Sequence, residues 1–159
     1  MKVLVTGVGG QLGYDVCKEL DRLGIENKGV DVQDFDLTDG DAVMAAVKAY
    51  APDAIIHCAA YTNVEKAESM PEVCADVNGM GTLNMVRAAL AVNAKLMYIS
   101  TDYVFEGTGN TPYEVNDPHK PQSVYGLTKD QGEEAVTSLM QRYFIVRISW
   151  VFGVNGHNF

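Results

Sequence analysis

Tyr125 and Lys129 are the two side chains of this sequence whose types and spacing best suit proton transfer. They stand four positions apart in a predicted helix, so the phenol and the ammonium face the same side of it. A free tyrosine has a pKa of about 10, and a neighbouring ammonium stabilises the phenolate and lowers that value. The pair therefore predicts a tyrosine that exchanges a proton with a substrate near neutral pH.

The place of this pair in the chain decides its interpretation, because the same spacing also occurs in ordinary solvated helices. The predicted helix, residues 123–142, follows a buried strand at residues 96–99 that leads into Ser100 and Thr101. We expect the Thr101 hydroxyl at the carboxyl end of that strand, where it can hold a substrate carbonyl. Residues 106–122, rich in Gly, Pro, Asn and Asp, predict a functional loop such as a lid or one wall of a site.

Glycines at positions 7, 10 and 13 separate a short apolar run, residues 3–5, from an amphipathic helix that ends at Gly24. Gly7 permits a tight turn, Gly10 lets the backbone approach a pyrophosphate, and Gly13 lets the helix lie close to the strand. The helix N-terminus offers N–H groups and a positive dipole end to phosphates. Strand, glycine turn and helix together predict a dinucleotide-binding unit.

Asp31 ends a second predicted strand, residues 25–30, and lies eighteen residues beyond Gly13. At this distance an acidic residue hydrogen-bonds the adenosine ribose of a dinucleotide. The alternative is an exposed loop carboxylate. Because a carboxylate here would repel a 2′-phosphate, the sequence favours NADH over NADPH as the cofactor.

The remaining pattern alternates strands with helices. Residues 35–39 predict a short strand whose Thr38 or Asp39 caps a helix to about Tyr50, and further strands are predicted at residues 54–57 and 144–150. The longest helix is predicted over residues 71–92. The alternation predicts the α/β class, a Rossmann-like doubly wound parallel sheet with helices on both faces.

Composition excludes several classes of function. The net charge of −9 on 159 residues argues against nucleic-acid and anionic-membrane binding, and no apolar run approaches the length of a membrane span. Three cysteines without metal spacing predict reduced thiols in the cytoplasm. His57, His119 and His157 are scattered singly, so no metal site is predicted.

Five segments, taken together, resemble the extended short-chain dehydrogenases/reductases, and within them the dTDP-4-dehydrorhamnose reductase family. They are GQLG at 10–13, AAYTNVEKAE at 59–68, STDYVFEGTG at 100–109, VYGLTKDQGE at 124–133 and RISWVFGVNGHNF at 147–159.

The resemblance implies hydride transfer from NADH or NADPH to C4 of dTDP-4-dehydro-6-deoxy-L-mannose, giving dTDP-L-rhamnose. Tyr125 would donate the proton, Lys129 would hold the nicotinamide ribose, and Thr101 would polarise the carbonyl. Asn78 matches an asparagine that organises the site, although a helix-surface asparagine is the alternative. The implied cofactor residues are Gly7, Gly10, Gln11, Leu12, Gly13, Asp31, Asp36, Leu37, Ala59, Ala60, Tyr125 and Lys129. The implied substrate residues are Thr62, Val64, Thr101 and Trp150.

Family members extend for about as much chain again. We therefore expect residues 1–159 to be an NAD(P)-binding domain that lacks the C-terminal sugar-nucleotide part, binds nucleotide and turns over little substrate alone. Whether the full-length protein forms a homodimer is left open by the sequence. Three alternatives remain: a sugar-nucleotide epimerase, a non-catalytic NAD(P)-binding subunit resembling the β subunit of methionine adenosyltransferase, and a nucleotide-binding domain with another substrate.

Overall fold

The computed structural model describes residues 1–156, so His157 lies outside the described residues. In this part the chain forms a five-stranded parallel sheet in the order β2-β1-β3-β4-β5. The strands are β1 Lys2–Thr6, β2 Glu26–Val30, β3 Ala54–His57, β4 Lys95–Thr101 and β5 Tyr143–Ile148. The predicted parallel sheet is confirmed.

Helices cover both faces of this sheet, as predicted. They are α1 Gln11–Arg22, α2 Gly40–Tyr50, α3 Val64–Ser69, α4 Pro71–Ala75, α5 Gly81–Ala91 and α6 Val124–Leu139. Successive side chains of a strand point to opposite faces. In β1, Val3 and Val5 pack with Leu20 of α1, whereas Leu4 belongs to the larger core that α2, α5 and α6 complete.

The segment between β2 and α2 differs from the prediction, because residues 35–39 form no strand. The Asp36 carboxylate instead accepts hydrogen bonds from the backbone N–H and the hydroxyl of Thr38, each at 2.8 Å. Such a local Asp bond stabilises a turn in place of a strand ladder. Asp39 then caps α2 by accepting from the N–H groups of Asp41 and Ala42.

The predicted helix over residues 71–92 is divided into three parts. Between α4 and α5, Asp76–Met80 forms a π-helical turn, and α3, which was not predicted, precedes α4. A π turn inserts one residue into the helical repeat and re-aims the side chains on it, often at functional sites. Asn78 lies in this turn and is buried.

Helix α6 lies against strand β4 at a position that only glycine permits. A Cβ added to Gly132 would overlap the Tyr98 hydroxyl oxygen. That hydroxyl donates to the backbone oxygen of Lys129 at 3.3 Å. Ser123 caps α6 by accepting from the N–H of Gly126. These contacts fix the distance between α6 and the sheet.

Within residues 1–156, none of the helices combines the length and the hydropathy that crossing a bilayer requires.

Candidate functional site

One cleft of about 970 Å³ lies at the carboxyl ends of β1, β3, β4 and β5. In parallel α/β sheets this is the edge where ligands bind. The structure brings together here most of the residues named from the sequence: Gly7, Gly10, Gln11, Leu12, Gly13, Asp31, Ala59, Ala60, Thr62, Val64, Thr101, Tyr125, Lys129 and Trp150.

The glycine turn has the conformation that its spacing predicted. Gly7 has a φ of +73°, and a Cβ there would stand 2.7 Å from the backbone of Ala59. A Cβ on Gly13 would overlap the Gly7 oxygen, so α1 starts in direct contact with the turn. Gly10 is the N-cap of α1 and forms no side-chain cap. The first turn of α1 is therefore open to an anion in the cleft.

Asp31 closes onto the same turn. Its carboxylate accepts from the N–H of Gly9 at 2.6 Å and from the N–H of Val32 at 2.8 Å. Beside it lies a slot of about 140 Å³, lined by apolar side chains that include Leu37, and by Ala59. A slot between an acidic residue and apolar walls suits an adenosine.

Asp36 is placed elsewhere. It is exposed and lines neither the cleft nor the slot, and its carboxylate is bonded to Thr38. Its role as a cofactor residue stays a prediction.

Lys129 is buried in α6, with 2% of its surface exposed. Its ammonium donates to the backbone oxygen of Ile99 at 2.7 Å and stands 4.1 Å from the centre of the Tyr98 ring. Burial lowers the pKa of Lys129 to about 7. The side chain is thus held at the floor of the cleft, where burial favours its neutral form.

Tyr125 differs from the expectation in the direction of its pKa. Burial raises the pKa of Tyr125, while hydrogen bonding with Thr101 acts to lower it. The Lys129 ammonium is directed at Ile99 in this structure. The edge of the Tyr103 ring packs against Tyr125, with 5.7 Å between ring centres, and contributes to the enclosure. The phenol is therefore kept protonated, which suits a proton donor.

Thr101 is buried at the end of β4 and bonds to its neighbours in sequence. Its hydroxyl donates to Asp102 at 3.1 Å and accepts from the N–H of Tyr103 at 3.2 Å. The other oxygen of Asp102 accepts from Ser149 at 2.7 Å. Sequence reasoning did not assign Asp102, Tyr103 or Ser149, although all three line the cleft. The immediate succession of Asp102 and Tyr103 after Thr101 was the available signal.

Asn78 is buried and hydrogen-bonds two segments that are distant in sequence, so the alternative of a helix-surface asparagine is wrong. Its amide oxygen accepts from the N–H of Tyr61 at 2.8 Å, and its amide nitrogen donates to the Tyr61 oxygen at 3.1 Å. The same nitrogen donates to the Thr128 hydroxyl at 3.1 Å. Asn78 therefore ties the loop after β3 to the residue preceding Lys129.

The residues named for the sugar side lie at the outer end of the cleft. Thr62 is exposed, Val64 begins α3, and both line the cleft. Trp150 is 79% exposed and has a φ of +52°, an uncommon conformation for a large side chain. Backbone conformations of this kind cluster at active and ligand-binding sites.

His57 and Cys58 lie below the cofactor end of the cleft. His57 is buried between the hydroxyls of Thr6 at 2.8 Å and Thr82 at 3.3 Å. Burial lowers the pKa of His57 to about 3, so the ring is neutral. Burial also raises the pKa of the Cys58 thiol to about 12. The three cysteines are free thiols, as expected.

A cluster of ionisable side chains that the sequence did not indicate lies at the end of the long loop, residues 106–122. Ligand atoms of His119, Asp130 and Glu133 lie within 4.8 Å of one another. Arg147 occupies this group, donating to His119 at 2.8 Å and to Glu133 at 2.6 Å. Because a guanidinium already bonds two of the three residues, we assign the group to the structure of the loop.

Known proteins match this chain over nearly its whole length. The sequence profile described as the RmlD substrate binding domain matches residues 1–159. The chain belongs to the RmlD family. It is 43% identical over 157 residues to a dTDP-4-dehydrorhamnose reductase of Streptomyces griseus, covering 98% of this chain and 52% of that relative. The resemblance found in the sequence is confirmed.

Solved structures in and near the RmlD family have the same fold. A dTDP-4-dehydrorhamnose reductase of Bacillus anthracis, solved in complex with NADP, superposes with a TM-score of 0.96 at 40% identity, covering 99% of this chain and 56% of that one. A UDP-glucose 4-epimerase of Thermus thermophilus, in complex with NAD, gives 0.85 at 25% identity, covering 92% and 54%. This chain thus spans about half the length of these relatives.

Proposed function

We propose that residues 1–159 form the nicotinamide-nucleotide-binding part of an NAD(P)H-dependent reductase acting on the 4-keto group of dTDP-4-dehydro-6-deoxy-L-mannose. One observation carries the proposal: Thr101, Tyr125 and Lys129 meet in the same cleft as the glycine turn. A ketone reduction needs a hydride source and a proton donor within reach of one carbonyl. The names of the relatives suggest the sugar substrate.

The residues present fit a dinucleotide. The uncapped start of α1 and the close contact of Gly13 with Gly7 leave a cradle that a Cβ would fill. We assign the pyrophosphate to this turn, the adenosine ribose to Asp31 and the adenine to the slot beside Leu37. A bound NADH or NADPH supplies the hydride.

The side chains of the cleft supply the remaining chemistry. Tyr125 donates its phenolic proton to the oxygen of the carbonyl that is being reduced, so one hydride and one proton convert the ketone into an alcohol. Thr101 hydrogen-bonds that oxygen and orients it towards Tyr125. Lys129 would hold the ribose hydroxyls of the bound nucleotide. The raised pKa of Tyr125 keeps the proton available for donation.

The test is reduction of the dTDP-keto-sugar by the protein at its natural length, followed by loss of NADH or NADPH absorbance. Wild type should consume one nucleotide per alcohol formed, and Tyr125→Phe should retain nucleotide binding with a strongly reduced kcat. Tyr14→Phe is the matched control because Tyr14 lies on α1, outside the residues that line the cleft.

Product analysis separates the alternatives. An inverted sugar without net nucleotide consumption would replace the proposal with an epimerase. Nucleotide binding without turnover by the protein at its natural length would replace it with a binding subunit. We expect the reductase in the cytoplasm and, for residues 1–159 alone, nucleotide binding with little turnover.

A further inference from the structure

Helix α6 is bonded to the end of β4 by two consecutive residues of that strand, Ile99 and Ser100. The Ile99 carbonyl accepts from Lys129 at 2.7 Å, and the Ser100 hydroxyl donates to Glu133 at 2.5 Å. Thr101, the next residue, faces the cleft. The spacing between Thr101 and Tyr125 therefore depends on how α6 is seated on Ile99 and Ser100.

Glu133 is the acidic member of this contact and is buried, with 3% of its surface exposed. On its other side, Arg147 of β5 donates to both carboxylate oxygens, at 2.9 Å from Nε and at 2.6 Å from Nη2. Such forked bonds are strong and directional. Glu133 therefore links β4, α6 and β5 in one rigid unit.

Glu133 also lies one helical turn after Lys129, on the same buried face of α6. Several ionisable groups act on the Lys129 ammonium from the elements packed around it. The thiols of Cys58 and Cys74 and the neutral ring of His57 come from the side of β3 and α4. The Tyr98 ring comes from β4, and its centre stands 4.1 Å from the ammonium. Among these groups Glu133 supplies a carboxylate, and its charge opposes the effect of burial on Lys129.

We infer that Glu133 is a positioning residue of the reaction, fixing α6 against β4 and holding a negative charge one helical turn from Lys129. The role in the reaction rests on the proposed function, whereas the effect on Lys129 does not. Without this charge a fully buried lysine is driven further towards its neutral form. A neutral Lys129 is a weaker donor to a ribose.

The experiment is a titration of Lys129 in the protein without nucleotide, followed by the ¹³C resonance of its ε carbon and assigned by its loss in Lys129→Arg. Glu133→Gln keeps the shape of the side chain and removes the charge. Its Lys129 midpoint should fall by at least about one pH unit, which is a tenfold change in the protonation constant. Glu134→Gln, at the exposed neighbouring position, should match wild type.

An unchanged midpoint in Glu133→Gln would overturn the inference. Should that variant fail to fold, Glu133→Asp keeps the carboxylate but shortens the side chain by one methylene group. Its midpoint should fall by a smaller amount, and an unchanged value overturns the inference equally. Since no nucleotide is present, failure of the wild type to bind NADH would refute the proposed function without affecting this result. In the protein at its natural length, the alkaline limb of the rate profile should move to lower pH in Glu133→Gln.

Discussion

The Asp31 carboxylate accepts a hydrogen bond from the N–H of Gly9, with 2.6 Å between Oδ2 and N. This bond joins the end of β2 to the glycine turn after β1. A Cβ on Gly9 would stand 2.9 Å from the same oxygen, so the approach depends on a glycine at this position. The acidic group and the glycine turn are thus held in one fixed relationship.

Removal of this carboxylate should change the choice of cofactor. In Asp31→Ala the repulsion of a 2′-phosphate is lost, together with a hydrogen-bond acceptor for the ribose. We expect the ratio of NADPH to NADH affinity to rise by about tenfold, corresponding to about 1.4 kcal/mol. Isothermal titration with both nucleotides measures this ratio. The control is Asp34→Ala, because the Asp34 carboxylate accepts from the N–H of Asp31 without lining the cleft. An equal ratio of NADPH to NADH affinity in wild type and Asp31→Ala would contradict the assignment.

The stability of the protein should depend on pH through Lys129. Its pKa is lowered from 10.5 to about 7 in the folded chain, so between these values the unfolded chain binds more protons. Stability contributed by this group therefore increases as the pH rises from 7 to 10, by up to about 1.4 kcal/mol per pH unit.

Urea unfolding at several pH values between about 7 and 8 checks this dependence, because at higher pH the buried Cys58 thiol, whose pKa is raised, changes the stability in the opposite direction. The slope should be present in wild type and absent in Lys129→Met, while the exposed Lys48→Met variant should keep it. If the free energy of unfolding depends on pH in the same way in wild type and Lys129→Met, burial does not lower the pKa of Lys129.

Asn78 should be intolerant of a change that preserves its shape. Asn78→Asp removes the amide donors to Tyr61 and Thr128 and places a carboxylate against the Tyr61 carbonyl oxygen. We expect a loss of about 2–3 kcal/mol in the free energy of unfolding, because buried groups are left without partners. Urea denaturation measures this loss. Asn116→Asp in the exposed loop is the control, and a similarly small effect of both changes would refute the role.

Gly132 should report the docking of α6 on β4. Gly132→Ala forces a methyl group onto the Tyr98 hydroxyl and should cost about 2–3 kcal/mol by overpacking. In a Tyr98→Phe background the same change should cost at least about 1 kcal/mol less, since the obstructing oxygen is gone. Equal costs in both backgrounds, measured by denaturant unfolding, would show that the two residues are independent.

The sequence predicted the parallel sheet because Val3, Leu4 and Val5 and their counterparts form apolar runs between helical patterns. It predicted the cleft because Gly7 and Thr101 lie at the carboxyl ends of strands, which meet at one edge, and because Tyr125 and Lys129 share one face of the helix that follows the long loop. These are local signals, so they can be recognised without knowledge of tertiary contacts.

Other features depended on contacts between distant segments. The π turn at Asp76–Met80 exists where Asn78 meets Tyr61 and Thr128, which no helical period reveals. The strand expected at residues 35–39 was wrong because Asp36 bonds Thr38 locally. The direction of the Tyr125 pKa was wrong because burial, which raises this pKa, outweighs the hydrogen bond with Thr101, and burial is a property of the folded chain.

The most direct test of the account is calorimetric titration of this chain with NADH, comparing wild type with Gly10→Asp and Gly10→Ser. Gly10 is the N-cap of α1, where both replacements favour the helix, and only the aspartate places a negative charge at the pyrophosphate position. Wild type should bind one nucleotide saturably. Binding should be weakened in Gly10→Ser, whose side chain hinders the approach of the pyrophosphate to the backbone, and lost in Gly10→Asp, which also places a negative charge there. Binding that is absent from wild type, or unaffected by the aspartate, would contradict the assignment of the cleft as a nicotinamide-nucleotide site.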